Sequence, residues 1–476
     1  MESKTIHVAL VSAPVYSHLR SILEFAKRLV QLHQDHYVTC LVPIDGSPCN
    51  KTKALLQSLP PNIDYVFVSP KNLEDSTQDT HPAFQVRTLM IRSLPLIRDE
   101  LKKLISKSRL AAIISDGIIT QVLELVKDLN VLSYTYFPSS AMLLALCLHS
   151  EYLDKTTSSE YKDLLEPIKI PGCIPIRGVD LPDPFEDRSS ETYKEFLGGS
   201  KRFFLADGIL INTFFEMEAV TIKELEEQES RGMIPSVHAI GPFVQQDESN
   251  CVILEGNKNN SMECLNWLDK QEKDSVLYVS FGSGGTISHE QIIELALGLE
   301  HSGEKFLWLL KPPSKFGIIF EFGDFSEDPL KYLPNGFLER TKEQGFIVPY
   351  WAPQIKILGH SAIGGYICHC GWNSILESVV HGIPMIAWPL FAEQRMNAVL
   401  FCNDLKVAVR AKVNEVGIVE RGEIALVIKN LMTGEEGKGI RQRMRELKRS
   451  AEDAISEGGS STRTLSQLAL KWKILE

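Results

Sequence analysis

Three groups of residues in this 476-residue chain have the types and spacing that chemistry needs. His18 follows an apolar run, Ile6 to Ser12, that reads as a strand, and it stands at the expected start of a helix with Ser17 before it as a candidate N-cap. A helix N-terminus disfavours imidazolium, so a histidine there keeps a neutral ring able to accept a proton near neutral pH. Such a base needs an orienting partner. Asp116 closes a second apolar run, Ala111 to Ser115. A carboxylate there could hold one ring nitrogen and steady the charge formed on the imidazole, the logic of a catalytic triad without its covalent nucleophile. The bland alternatives are a solvated histidine at a helix start and an aspartate that serves a loop or a cap.

The second group is Gly371-Trp372-Asn373-Ser374, between an expected strand and an expected helix. Backbone N–H groups exposed at such a helix start make an anion site, and a diphosphate fits it. Ser374 and Glu377 also have the S-x-x-E spacing of a capping box, which offers Glu377 a structural role. The third group, Phe281-Gly282-Ser283-Gly284-Gly285, is a turn whose glycines let the backbone approach a phosphate closely. Neither run is the dinucleotide fingerprint. Ala13-Pro14-Val15-Tyr16-Ser17 follows the first strand where G-x-G-x-x-G would stand, which counts against a nicotinamide oxidoreductase. Cys368-His369-Cys370 resembles a metal-ligand group, but on a strand alternate side chains face opposite ways and the ring turns from both thiols.

Ligands of open α/β sheets lie beyond the carboxyl ends of the strands, and all three groups follow expected strands. Near-continuous apolar runs alternate with amphipathic stretches along the whole chain, the pattern of a parallel sheet covered on both faces. In the first half the strands are Ile6 to Ser12, Tyr37 to Val42, Asp64 to Val68, Ala111 to Ser115, Val131 to Phe137 and Asp207 to Asn212. Expected helices include Leu19 to Leu32, a long one from Phe84 to Ile105 that Pro95 kinks or breaks, and Phe215 to Glu226. The pattern dissolves between Gly241 and Met262, read as a linker. Further strands follow at Ser275 to Phe281, Phe306 to Leu310, Phe346 to Pro349, Gly364 to Cys368, Pro384 to Trp388 and Val407 to Val409. Pro312 to Pro334 is a long loop inside this half, and the tail from Gly437 is helical by composition. The expected domains are therefore 1–240, a linker at 241–262, 263–455, and a helical tail at 456–476.

A formal charge of −11 repels phosphate backbones and anionic membrane surfaces, so nucleic acid is not an expected partner. The greasiest stretch, Ser140 to Leu148, is too short to cross a bilayer, and Met1 to His7 has no basic region followed by an apolar run. Nine cysteines, an odd number without paired spacing, read as reduced thiols. The expectation is a cytoplasmic monomer.

From Trp351 to Gln394 runs WAPQIKILGHSAIGGYICHCGWNSILESVVHGIPMIAWPLFAEQ, a segment of 44 residues. It resembles the signature of the plant secondary-product UDP-glycosyltransferases, in length and position by position. The likeness covers essentially the whole chain, through the His18 region, Trp267-Leu268-Asp269 and Ser280-Phe281-Gly282-Ser283 to the tail. It is most similar to the branch that glucosylates simple phenols and monolignols, the arbutin synthase type.

The resemblance implies an α/β fold of the GT-B kind: two facing Rossmann-like domains, acceptor in the first, donor in the second, and a last helix crossing back to the first. It implies that Trp351 stacks on uracil while the backbone of Ala352 and the amide of Gln354 address its edge. Glu377 binds the ribose hydroxyls, and Ser283, His369, Asn373 and Ser374 contact the diphosphate. Trp372, Glu393 and Gln394 line the hexose, and the terminal Gln goes with glucose. His18 and Asp116 fall on the catalytic pair. The partners so implied are UDP-glucose as co-substrate, with no cofactor and no metal, and a small lipophilic phenol. Apolar residues near the strand ends, Ile118, Ile119, Phe137 and Met142, are candidates for the acceptor pocket, with a core role as the alternative. Two departures stand out: Ser17 replaces the usual Gly before the histidine, and Leu19-Arg20-Ser21 stands where a Pro is common. A Cβ resists positive φ, so this loop is expected to follow a different path.

Overall fold

The computed structural model describes residues 5–70, 82–245, 258–314 and 327–474. The chain divides into two units, Met1–Gln245 with Ala451–Glu476, and Gln246–Ser450. The first is built on seven parallel strands: β1 (Ile6–Val11), β2 (His36–Pro43), β3 (Ile63–Val68), β4 (Leu110–Asp116), β5 (Leu132–Phe137), β6 (Gly208–Ile211) and β7 (Ser236–Ala239). Their order is β3-β2-β1-β4-β5-β6-β7. β1 reads IHVALV and every residue of it is buried, because helices cover both faces of the sheet. Val8 and Leu10 join Leu19, Ile22, Leu23 and Ala26 of the helix Tyr16–Leu32. Ala9 and Val11 join Ile97 and Leu101 of the helix Pro82–Lys107.

The tail completes this unit. Leu465, Leu468, Ala469 and Trp472 of the helix Ser460–Ile474 enter the same apolar cluster as β1 and the first helix. Trp472 sets its edge against Tyr134 at 5.6 Å. Arg28 donates to the Ile455 carbonyl at 2.5 Å, Ser461 donates to the Gly241 carbonyl, and Lys473 pairs with Asp35 at 2.8 Å. Burial of four apolar side chains, at about 1.5–3 kcal/mol for each of the large ones, outweighs the exposed Lys473 pair.

The second unit has six parallel strands: β8 (Val276–Ser280), β9 (Lys305–Leu310), β10 (Gly345–Pro349), β11 (Ile363–Cys368), β12 (Met385–Ala387) and β13 (Ala408–Arg410). Their order is β10-β9-β8-β11-β12-β13. Leu277 and Val279 pack with Leu295 and Leu299 of the helix His289–Ser302 and with Ile424, Ile428 and Leu431 of the helix Arg421–Met432.

Several expectations change. Of the kink or break expected at Pro95, the break does not occur: the helix Pro82–Lys107 continues through it, with Met90 before it and Ile97 and Leu101 after it all buried, packing that offsets the roughly 3 kcal/mol an interior proline costs. The helix expected at Phe215 begins at Ala219. Buried Glu218 accepts from the Thr213 hydroxyl at 2.6 Å and from the backbone N–H groups of Ala141 and Met142 at 3.0 Å, which holds the preceding turn out of helix. β7, a four-residue edge strand, has no apolar pattern and was not expected. Gly241 to Gln245 belong to the first unit, with Phe243 in its core, and residues 246–257 of the expected linker lie outside the described residues. So do residues 315–326 of the expected loop.

Candidate active site

Strand order reverses between β1 and β4 in the first sheet and between β8 and β11 in the second. A crevice opens where neighbouring strands send their connections to opposite faces, and both candidate sites lie at such reversals.

In the first unit His18 is the third residue of the helix Tyr16–Leu32, immediately beyond β1, and Asp116 is the last residue of β4. His18 Nδ1 lies 3.0 and 2.9 Å from the two Asp116 carboxylate oxygens. The Ile118 backbone N–H donates to the same carboxylate at 3.1 Å. Asp116 is wholly buried and the His18 side chain is 26% exposed. An ionised carboxylate only accepts, so Nδ1 must carry a proton and the neutral ring keeps its lone pair on Nε2. The contact thus fixes the tautomer of the ring. The first turn contains no acidic residue to oppose the helix dipole.

Ser17 is inside the helix and the N-cap is Val15, in extended conformation with no side-chain cap bond. The capping role expected for Ser17 is therefore absent. Ser17 is not among the residues with positive φ. Ser21, where a Pro is common, is buried: its hydroxyl lies 2.8 Å from the Tyr136 phenol and accepts from the Asn212 amide at 3.3 Å, and the phenol also donates to the Ser21 carbonyl. Sequence reading missed this contact set, which ties the His18 helix to β5. A small polar residue on an otherwise apolar helix face was the available signal.

Of the apolar candidates, Ile118 is 44% exposed, whereas Ile119, Phe137 and Met142 are all buried. Ile119 belongs to the core cluster under the helix Pro82–Lys107, and Phe137 packs edge-on against Phe203 at 5.7 Å.

In the second unit the turn after β11 carries His369, Cys370 and Gly371 into the helix Trp372–His381. Cys370 has φ +64 and Gly371 is the N-cap, without any side-chain cap. Gly282, after β8, has φ +74. A Cβ on either Gly282 or Gly371 would meet the His369 ring at 2.4 Å, so the imidazole occupies the space that the two glycines leave. Burial, with Lys311 adding, pushes the His369 pKa down to about 3, which keeps the ring neutral. Its Nδ1 is buried with no hydrogen-bond partner among the described residues. Lys311, at the end of β9, donates to the carbonyls of Gly282 and Ser283 at 2.5 and 2.6 Å. This bond turns those carbonyls toward the ammonium. Ser283 is exposed, Asn373 half-buried and Ser374 buried.

No capping box forms. Ser374 is the third residue of its helix, and Glu377, 1% exposed, receives the Gln354 amide nitrogen at 2.6 Å. That amide, expected at the uracil edge, is bound to side chains throughout: it also donates to Ser374 at 3.1 Å and accepts from Tyr278 and Tyr366 at 3.3 Å each. Trp351 is half-buried and Ala352 buried, just past β10. Trp372 is buried with its ring edge-on to Phe401 at 6.2 Å. Glu393 precedes the helix Gln394–Val399, and the Gln394 carbonyl oxygen accepts from the N–H groups of Leu390 and Phe391 at 2.9 and 3.2 Å.

An oriented histidine in one Rossmann-like unit, and glycines beside a helix start in the other, are features compatible with a nucleotide-dependent group transferase. A family model described as "UDP-glucoronosyl and UDP-glucosyl transferase" matches residues 238–437. The hydroquinone glucosyltransferase of Rauvolfia serpentina is 46% identical over 471 residues, 98% of each chain. UDP-glycosyltransferase 72B1 of Arabidopsis thaliana is 45% identical over 99% of this chain and 97% of its own. Among solved structures, a Polygonum tinctorium UDP-glucosyltransferase capable of glucosylating indoxyl, in complex with 3,4-dichloroaniline, superposes with a TM-score of 0.89 at 42% identity, covering 99% of this chain and all of that one. Phytolacca americana UGT2, complexed with UDP-2fluoro-glucose and pterostilbene, does so with 0.87 at 41% identity, over 98% of this chain and all of that one. The chain is a member of the UDP-glycosyltransferase family, with the GT-B fold of that family. No helix among the described residues is long and apolar enough to cross a membrane.

Proposed function

We propose that this enzyme transfers glucose from UDP-glucose to the hydroxyl of a small phenol, with inversion at the anomeric carbon and His18 as general base. The observation that carries the reading is the His18 Nδ1 contact to both Asp116 oxygens at 3.0 and 2.9 Å, which leaves Nε2 as the basic atom. In this scheme Nε2 takes the phenolic proton as the acceptor oxygen displaces UDP in one step, and Asp116 stabilises the imidazolium. Phenols suit the scheme because their pKa, about 10, makes the proton easier to remove than that of an alcohol. The relatives support the acceptor class, since one is named a hydroquinone glucosyltransferase and a solved neighbour holds pterostilbene.

For the donor, Trp351 stacks on uracil and the Ala352 backbone meets its edge. Glu377 binds the ribose diol. Ser283, His369, Asn373 and Ser374 meet the diphosphate, and charge growing there is stabilised by neutral His369, by N–H groups at the start of the helix Trp372–His381 and by the field of Lys311. Those groups supply the electrostatics that a metal would otherwise supply, so activity is expected to survive a chelator. Trp372, Glu393 and Gln394 line the hexose. Gln394 spends its carbonyl oxygen on two backbone N–H groups, so its amide nitrogen is the end that offers hydrogens to a sugar hydroxyl. Ile118 is the acceptor contact, with Ile119, Phe137 and Met142 behind it. The proposed setting is a cytoplasmic monomer.

The test is a mass-spectrometric acceptor screen with UDP-glucose, UDP-galactose and UDP-xylose in parallel, followed by proton NMR of the product. A β-glucoside of a phenol is the expected product. An α-glucoside, or turnover confined to non-phenolic acceptors, overturns the reading.

A further inference from the structure

Gln354 stands where a base-reading amide was expected, yet each of its hydrogen-bonding positions goes to a side chain of the same unit. The amide has two hydrogens and a carbonyl with two lone pairs. Its nitrogen donates to Glu377 Oε2 at 2.6 Å and to Ser374 Oγ at 3.1 Å. Its oxygen accepts from the Tyr278 and Tyr366 hydroxyls at 3.3 Å each. The orientation follows from chemistry. An ionised carboxylate only accepts, so the nitrogen must face Glu377; the carbonyl then faces the tyrosines, and both phenols must donate. A flipped amide would set oxygen against oxygen at the shortest contact of the set.

The phenols are themselves fixed. Tyr278 on β8 and Tyr366 on β11 are directly paired in register, their rings are 5.1 Å apart and 24° from parallel, and neither is exposed to solvent. Burial holds the Tyr366 phenol well above its ordinary pKa, so it remains an O–H donor. Glu377, 1% exposed, sits one turn along the helix from Ser374, and the same amide touches both.

We infer that Gln354, held by the Tyr278–Tyr366 pair, is a positioning residue that aims the Glu377 carboxylate at the donor ribose and so makes the enzyme select ribonucleotide over 2′-deoxyribonucleotide sugar donors. This rests on the assignment of Glu377 to the ribose diol. A carboxylate has room to accept from Gln354 and from a diol together. A donor without the 2′-hydroxyl removes one of the hydrogen bonds that the buried, rigidly held carboxylate would accept from the diol, and sites built to bind a hydroxyl discriminate against such analogues. Rigidity is what the tyrosines add: a carboxylate able to swing away would escape the penalty.

The experiment compares kcat/KM for UDP-glucose with that for 2′-deoxyuridine diphosphoglucose, in the full-length enzyme with one phenolic acceptor. Wild type is expected to prefer the ribonucleotide by about 100-fold, the upper end of what one lost buried hydrogen bond is worth. In Tyr278→Phe/Tyr366→Phe, which keeps both rings and removes only two hydroxyls, the preference falls below about tenfold, through a higher KM for UDP-glucose at nearly constant kcat, while the deoxy donor is little changed. Gln354→Leu is expected to act in the same direction, and the tyrosine variant supplies the readout should it not fold. A purely structural role lowers both donors together and keeps the ratio, and that result overturns the inference. Glu377→Ala separates the two layers. If it leaves the preference intact, the ribose assignment fails; if it abolishes the preference while the tyrosine variant retains it, only the positioning role fails.

Discussion

The two sheets place their candidate sites at the same topological point and fill it in opposite ways. In the first unit the reversal between β1 and β4 carries titratable side chains, His18 and Asp116, within 3.0 Å. In the second the reversal between β8 and β11 carries glycines, Gly282 and Gly371, with an imidazole wedged between them. Both have a histidine, but the two rings stand in different surroundings. His18 is partly open and paired with a carboxylate, whereas His369 is desolvated, near Lys311, and pushed down to about 3. Topology decides where a ligand goes; the local supply of side chains or bare backbone decides whether the place moves protons or holds an anion.

The largest effect expected to sharpen this contrast is in the first crevice. His18→Ala should lower kcat by about 10²–10⁴, the usual worth of general-base catalysis, with little change in UDP affinity. Asp116→Asn should fall in the same direction, because the ring loses its tautomer lock. Steady-state kinetics paired with UDP titration calorimetry measure both. A variant with intact kcat and weakened UDP binding would reverse the roles of the two units.

Next comes the second crevice. Gly282→Ala introduces a Cβ at positive φ and 2.4 Å from the His369 ring. A strain of about 1–3 kcal/mol corresponds to UDP binding weaker by roughly 5- to 150-fold, read by the same calorimetry. The comparison breaks if acceptor KM moves and UDP affinity does not.

Acid sensitivity should appear in both units. Burial holds His238 of the first unit at about 4 and His369 of the second at about 3. Both values lie below the ordinary 6.5 of an unfolded chain, so between pH 6.5 and about 3–4 the unfolded state binds protons that the folded state does not. Their stabilising contribution is complete above 6.5 and is lost as pH falls through that window, by at most about 1.4 kcal/mol per pH unit for each ring. Scanning calorimetry from pH 7 to 5 should show a falling Tm, and His238→Phe should flatten the decline. An unchanged pH dependence in that variant would remove His238 from the account.

The smallest effect concerns the departure next to His18. Ser17→Gly should leave kcat within about twofold and cost at most about 1 kcal/mol, since Ser17 is in a helix where glycine is disfavoured. A substantial rise in kcat would mean that the serine does restrain the loop.

Much of this was readable in the chain. β1 and β11 stand within a residue of the expected strands because they are buried on both faces and carry few polar residues, His7 in one and Tyr366 in the other. His18 and Asp116 were legible as the residues just beyond two such runs. β7 was not, since a short edge strand is held by backbone bonds and needs no pattern. Ser17 and Glu377 fitted capping motifs that the structure does not use, because each competing position was settled by partners distant in sequence: Asp116 is 98 residues from His18, and Gln354 is 23 from Glu377.

What the sequence determined by itself was the alternation of elements, the family signature and the residue types available for proton transfer and anion binding, all carried by local periodicity and short spacing. Only the tertiary structure decided which way the Gln354 amide points, that Ser21 ties its helix to β5, that Trp472 of the tail packs on Tyr134, and that His369 is kept neutral. The physical reason is that burial and hydrogen-bond partnership depend on distances between residues far apart along the chain, and no local pattern contains those distances.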